Sequence, residues 1–171
     1  PVARVEGIGW TLLSAGTRAG GSFIGGQGGA VRLDGSLDAI GPRTLFMTLG
    51  GEAASLSGSS RAAQWMLLDQ LVDEVRGRIP ADSRFALLTP AGRTTLARYF
   101  GGGGRVLVRI QRAADITRLL RWSKQRGVSI ALLGAAEGWK VAPQLAADEG
   151  AAGPGARRQQ RPADAFHPRH R

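Results

Sequence analysis

The chain reads as an α/β protein, and two observations carry that reading. From Arg105 to Ala147 short apolar runs alternate with runs of helical period, the rhythm of βα units laid on a parallel sheet. The strand candidates in that stretch, Val106–Ile110 and Val128–Leu133, are apolar almost throughout, as strands covered on both faces are. Four or five strands in 171 residues make either a small open sheet or a piece of a barrel. A closed α/β barrel takes roughly 200 residues or more.

Taken in order, Val2 to Gly9 reads as the end of a helix stopped by Gly7 and Gly9. Trp10–Ser14 is a short apolar strand. Gly16 to Gly29 is predicted as a flexible loop at that strand's end, and Ala30–Leu33 as an alternating strand closed by the turn pair Asp34-Gly35. Thr44–Leu49 is a buried-type strand ending at Gly50-Gly51. The clearest helix runs from about Ser60 to Arg76, with Ala62, Trp65, Leu68, Val72 and Val75 on one face. Thr89-Pro90 reads as an N-cap followed by proline at the first helical position, opening a helix through Tyr99 that Gly101–Gly104 breaks. A strand over Val106–Ile110, a helix over Ala113–Arg126 stopped by Gly127, and a strand over Val128–Leu133 follow. The last helix, Glu137–Ala147, is kinked or restarted at Pro143.

After Ala147 the periodicity ends. Residues 148–171 are mostly Ala, Gly, Pro, Gln and Arg, with Phe166 the one Phe, Tyr or Trp, and form an expected disordered basic tail beside a folded body of residues 1–147. The net charge is +10, and residues 151–171 carry five Arg against Asp164 alone. Such a charge favours phosphate contacts, but the body's Arg residues form no dense run, so nucleic acid is not the expected partner. No run reaches the ~18 apolar residues of a membrane span, so no membrane partner is expected. The absence of cysteine excludes disulfides and thiolate metal sites and leaves the compartment open.

The motifs exclude more than they assign. The glycine-rich stretch lacks GxxxxGK[ST], has Val31 where a third glycine would complete GxGxxG, and leads into a strand, so it does not cradle phosphate. GxSxG is absent, and with no histidine before His167 a Ser–His–Asp triad has no base in the body. His167 and His170 form a pair interrupted by Pro168 in the tail. Trp10, Trp65, Trp122 and Trp139 are spread one per element, a pattern that suits packing better than base stacking.

Four stretches in order resemble the amidohydrolase superfamily, in its imidazolonepropionase-like branch. They are Val2-Ala3-Arg4-Val5-Glu6-Gly7-Ile8, Phe23-Ile24-Gly25-Gly26-Gln27-Gly28, Arg112-Ala113-Ala114-Asp115-Ile116, and Gly134-Ala135-Ala136-Glu137-Gly138-Trp139-Lys140-Val141-Ala142. The resemblance covers roughly residues 1–147. It implies a TIM-type (β/α)8 barrel, of which this chain is the incomplete middle, and metal-dependent hydrolysis of C–N bonds, non-peptide amides, in small molecules. The family carries a divalent metal such as zinc on an HxH pair, on histidines ending two middle strands and on a late Asp. Such an ion lowers the pKa of bound water to ~7 and polarises the carbonyl under attack.

Here the family pattern breaks. The HxH strand would precede this chain, Arg109 or Gln111 stands where the family often has His, and Gly134 stands at the next such position. A guanidinium is always charged and offers only donors, so it does not replace an imidazole. The chain alone is accordingly expected to be inactive, its active site degenerate, with no catalytic residue, no metal and no cofactor of its own. Arg109 and Glu137 are the expected substrate contacts at the strand ends. The rival reading is a noncatalytic binding or scaffold module with a basic tail. Exposed sheet edges would promote self-association. A tail of this composition is also what an out-of-frame reading of GC-rich DNA yields.

Overall fold

The computed structural model describes residues 5–17, 21–36 and 38–149. Residues 150–171 of the expected tail, with His167 and His170, lie outside the described residues, as do Val2 to Arg4, while Asp148 and Glu149, expected in the tail, close the last helix. Five strands form one sheet in the order β1 (Trp10–Leu13), β2 (Ile24–Arg32), β3 (Ala39–Thr48), β4 (Arg105–Ile110) and β5 (Ala131–Gly134). Helices α1 (Arg61–Val75) and α2 (Pro90–Phe100) connect β3 to β4, α3 (Ala113–Arg126) connects β4 to β5, and α4 (Ala142–Glu149) follows. Single 3₁₀ segments cover Gly51–Ser57 and Gly138–Val141.

The α/β class is as the sequence predicts, but the sheet is mixed. β3, β4 and β5 run parallel, whereas β1, β2 and β3 are an antiparallel meander. The predicted glycine-rich loop is largely strand, because β2 begins at Ile24 and runs through the glycines. Close approach requires two of them, Gly25 and Gly28. A Cβ on Gly28 would lie 2.1 Å from the Leu13 carbonyl oxygen and 2.9 Å from the Phe46 ring. A Cβ on Gly25 would lie 2.5 Å from the Ala15 oxygen. Glycine here lets β1 and the segment after it press onto β2.

Local signals place the helices. The Ser60 hydroxyl accepts from the Ala63 N–H at 3.2 Å to start α1, and Thr89 accepts from Gly92 N–H at 3.1 Å to start α2. Gly127, at φ 60°, ends α3, and the Val128 N–H returns to the Ser123 carbonyl at 3.1 Å. The predicted strand from Val128 is shorter and later than expected, since the chain spends Val128–Ile130 leaving α3 before pairing with β4. The final helix does restart at the proline: Pro143 sits in the first turn of α4, where no intrahelical bond needs its missing N–H.

The core joins Leu45, Met47 and Leu49 of the β3 region to Val106, Val108 and Ile110 of β4 and to Trp65, Leu68 and Val72 of α1. Ile116, Leu119 and Trp122 of α3 close it. The α1 stripe departs from expectation at its ends. Ala62 is exposed and Val75 half-buried, whereas Gln64 and Glu74 are fully buried. Both polar side chains serve backbone groups. Glu74 accepts from Leu87 N–H at 2.7 Å and Leu88 N–H at 3.0 Å and faces Arg93 at 3.4 Å, pinning the segment between α1 and α2. Trp65 and Trp122 are core residues, while Trp10 and Trp139 are 60% and 74% exposed.

Candidate functional site

The carboxyl ends of parallel strands are where α/β folds place ligands, because the loops that leave them are free to vary over a rigid edge. Pairing in register puts Thr48 of β3 beside Arg109 of β4, and Arg109 beside Leu133 of β5. These three form one transverse row at that edge. With Ser14–Thr17, Phe46, Met47 and Glu52 they line a cleft of about 240 Å³. The Thr17 hydroxyl lies 3.4 Å from that of the buried Thr48. A wider hollow of about 490 Å³ lies over the antiparallel strands, but Gly28, Gly29, Gly41 and Arg43 line it with a single charged side chain. The strand-end cleft is the better-equipped site.

Two charges of opposite sign face the cleft. Arg109 and Glu52 are both exposed, and neither side chain forms a hydrogen bond or ion pair among the described residues. Glu52 follows the Gly50-Gly51 turn, which is held from below. The Gln64 side chain accepts from Gly50 N–H at 2.8 Å and donates to the Gly50 carbonyl at 2.9 Å. Gly50 has φ 86°, and a Cβ there would lie 2.8 Å from Asp115 Oδ2. Asp115, buried in the first turn of α3, pairs with Arg61. Helices α1 and α3 thus clamp the turn that carries Glu52.

The other predicted residues are occupied. Glu137 stands just past β5 but does not line the cleft. One of its oxygens accepts from Ala113 N–H at 2.9 Å, capping α3, and the other pairs with Lys140 at 3.0 Å. The Ala113 N–H first and the Lys140 ammonium second hold its carboxyl below the usual glutamate range. Gln111 accepts from Ala136 N–H at 3.1 Å, and its carbonyl accepts from Glu137 N–H at 2.9 Å. Gly134, at φ 85°, leaves room for that side chain, since a Cβ would lie 2.8 Å from Gln111 Nε2. Gln111 and Gly134 are therefore neighbours in a strap across the ends of β4 and β5. Glu52 and Thr48 were not singled out in the sequence; the signal for Glu52 was an acid directly after a strand-ending Gly-Gly.

These residues do not fit a metal ion. Gly134 has no side-chain ligand atom, Gln111 Oε1 accepts from the backbone, and Arg109 offers only donors. Among the described residues no three His, Cys, Asp or Glu side chains converge. No helix among them is long and apolar enough to cross a membrane.

The described residues form an α/β chain with a mixed five-stranded sheet and a cleft at its parallel strand ends. Among solved structures the chain is similar to an amidohydrolase from Thermotoga maritima MSB8, with a TM-score of 0.68 and 18% identity over 83% of this chain. The chain spans 40% of the length of that protein. What the likeness shows is the fold, that of part of an amidohydrolase. No protein-family model matches the chain, and no curated protein does.

Proposed function

We propose that this chain derives from a metal-dependent amidohydrolase of the imidazolonepropionase-like branch, folded as a piece of a TIM-type barrel, and that it binds a small molecule in the strand-end cleft without catalysing hydrolysis. The ancestral reaction is hydrolysis of a C–N bond in a small molecule. Arg109 is the substrate contact, and Glu137 supports the wall by capping α3.

One observation carries this reading. The likeness to an amidohydrolase covers most of the chain, yet the strand ends that would hold its metal present Arg109, a backbone-bound Gln111 and Gly134. Retention of the fold with an open cleft supports binding, and the ligand chemistry of those three residues argues against water activation by a metal.

The test is direct. The purified chain is incubated with zinc, freed of excess, analysed for metal, and assayed on a panel of small amides and lactams with and without chelator. Substoichiometric metal and no chelator-sensitive turnover are expected. One tightly held ion per chain, or hydrolysis abolished by chelation, would sink the proposal.

A further inference from the structure

We infer that the cleft recognises a small zwitterion, a molecule carrying both a carboxylate and an ammonium group, with Arg109 meeting the carboxylate and Glu52 the ammonium. The inference rests on the cleft being the ligand site, as proposed above, and adds the ligand's chemical class.

The charges make the argument. Arg109 and Glu52 line one cavity, carry opposite charge, and form no ion pair with each other or with any other described residue. Arg61, Arg78, Arg93, Arg126 and Lys140, by contrast, all reach an acid. A ligand that is only an anion gains from Arg109 and is repelled by Glu52. A ligand that is only a cation meets the reverse. A molecule bearing both charges is the class for which both side chains contribute favourably, and like-charge juxtaposition is what rejects the others.

The neighbouring groups sort the two ends. Thr48 stands beside Arg109 in the register of the sheet. Its hydroxyl lies 3.4 Å from that of Thr17, and a Thr48 hydroxyl that accepts from Thr17 keeps its own proton to donate. A guanidinium and a hydroxyl side by side are a donor pair suited to a carboxylate. Glu52, on the clamped turn, can only accept, which suits an ammonium. Leu133, Met47 and Phe46 supply apolar wall for the carbon skeleton. The cleft, about 240 Å³, is smaller than the roughly 300–1,000 Å³ of drug-sized sites. That size suits an amino acid.

Calorimetric titration of the full chain at low salt tests this with four probes. L-alanine and 4-aminobutyrate carry both charges at different spacing; N-acetyl-L-alanine keeps only the carboxylate and L-alaninamide only the ammonium. At least one zwitterion should bind, with the capped probes tenfold or more weaker. The preferred zwitterion reports the spacing between Arg109 and Glu52. Arg109→Gln should weaken the zwitterion and N-acetyl-L-alanine alike, whereas Glu52→Gln should weaken the zwitterion and close its advantage over N-acetyl-L-alanine. Thermal melts of both variants check that they fold, and the capped-probe comparison needs no variant at all. If N-acetyl-L-alanine binds as tightly as either zwitterion and Glu52→Gln changes nothing, the zwitterion inference fails while Arg109 remains a ligand contact. If no probe binds, or binding ignores Arg109→Gln, the inference and the cleft reading fall together.

Discussion

Replacing Gln64 by leucine is the perturbation that most directly tests how the cleft is held. Gln64 is fully buried in α1, and its two ends bond the N–H and C=O of Gly50 at 2.8 and 2.9 Å. Leucine keeps about the same volume, so the change removes hydrogen bonds without opening a large cavity. The two losses are unequal. The Gly50 carbonyl retains the Ala53 N–H at 3.2 Å, so it forfeits one bond of two, about 0.5–1.5 kcal/mol. The Gly50 N–H has no other partner among the described residues and is left buried and unpaired, at a cost of about 1–3 kcal/mol. Together the expected loss is about 2–4 kcal/mol, a large part of the roughly 5–15 kcal/mol that holds a domain folded.

Urea unfolding followed by circular dichroism measures it. With a slope of about 2 kcal/mol per M, the midpoint should fall by roughly 1–2 M while the slope stays constant. The turn bearing Glu52 should also exchange its amide protons faster, since Gly50 is the anchor beneath it. A loss under about 0.5 kcal/mol would refute the reasoning, because Gly50 would then have to satisfy its N–H elsewhere and the clamp would not depend on Gln64.

Three further outcomes follow from the same geometry. Gly134→Ala forces a side chain into a φ of 85° against Gln111. It should cost about 1–2 kcal/mol for the left-handed backbone and speed hydrogen exchange at Ala136; an unchanged Ala136 would tell against the strap. Arg109→Gln should leave stability within about 0.5 kcal/mol, as an exposed side chain with no partner among the described residues supports nothing in the fold, and a larger loss in thermal melts would show a structural role. For Glu137 the sign runs with its lowered pKa. Its stabilising contribution is complete above the ordinary glutamate value of about 4.3 and is lost as pH falls through the lower folded value. Glu137→Gln should therefore flatten the decline in melting temperature on acidification, and parallel declines would remove the capping role.

The helices were legible because their ends are written in one or two residues. Ser60, the Thr89-Pro90 pair and Gly127 each act on backbone groups within a few positions, and each stands where the structure uses it. Strand β2 was not legible. Its glycines have low strand propensity, and Gly28 is needed only because Leu13 and Phe46, distant in sequence, press against it, as Ala15 presses against Gly25. The antiparallel start of the sheet was hidden for the same reason: pairing direction is a long-range property that apolar runs do not encode. Within α1 the period found Trp65, Leu68 and Val72 but missed Gln64 and Glu74, whose partners are backbone groups of other segments. At the cleft, Arg109 was legible as a charge at the end of an apolar strand. Glu52 was not, because a lone acid after Gly-Gly reads equally well as an ordinary loop residue.

The strand-end edge is divided between two uses, and the division bears on what the chain does. A side chain that closes a helix end or bridges two strands has part of its hydrogen-bonding capacity taken up by the fold. The Gln111 Oε1 and both oxygens of Glu137 are engaged in this way, with Ala136, Ala113 and Lys140. The inner row is not. Thr48, Arg109 and Glu52 line open volume, and among the described residues neither charged side chain has a partner. On the function proposed above, the outer positions serve structure, whereas a centre for hydrolysis would need convergent groups able to gain and lose protons or hold an ion. A binding site needs only fixed charges on a rigid floor. In the binding site proposed above, the parallel register of β3 and β4 sets Thr48 beside Arg109, and Gln64 and Asp115 lie against the turn that carries Glu52.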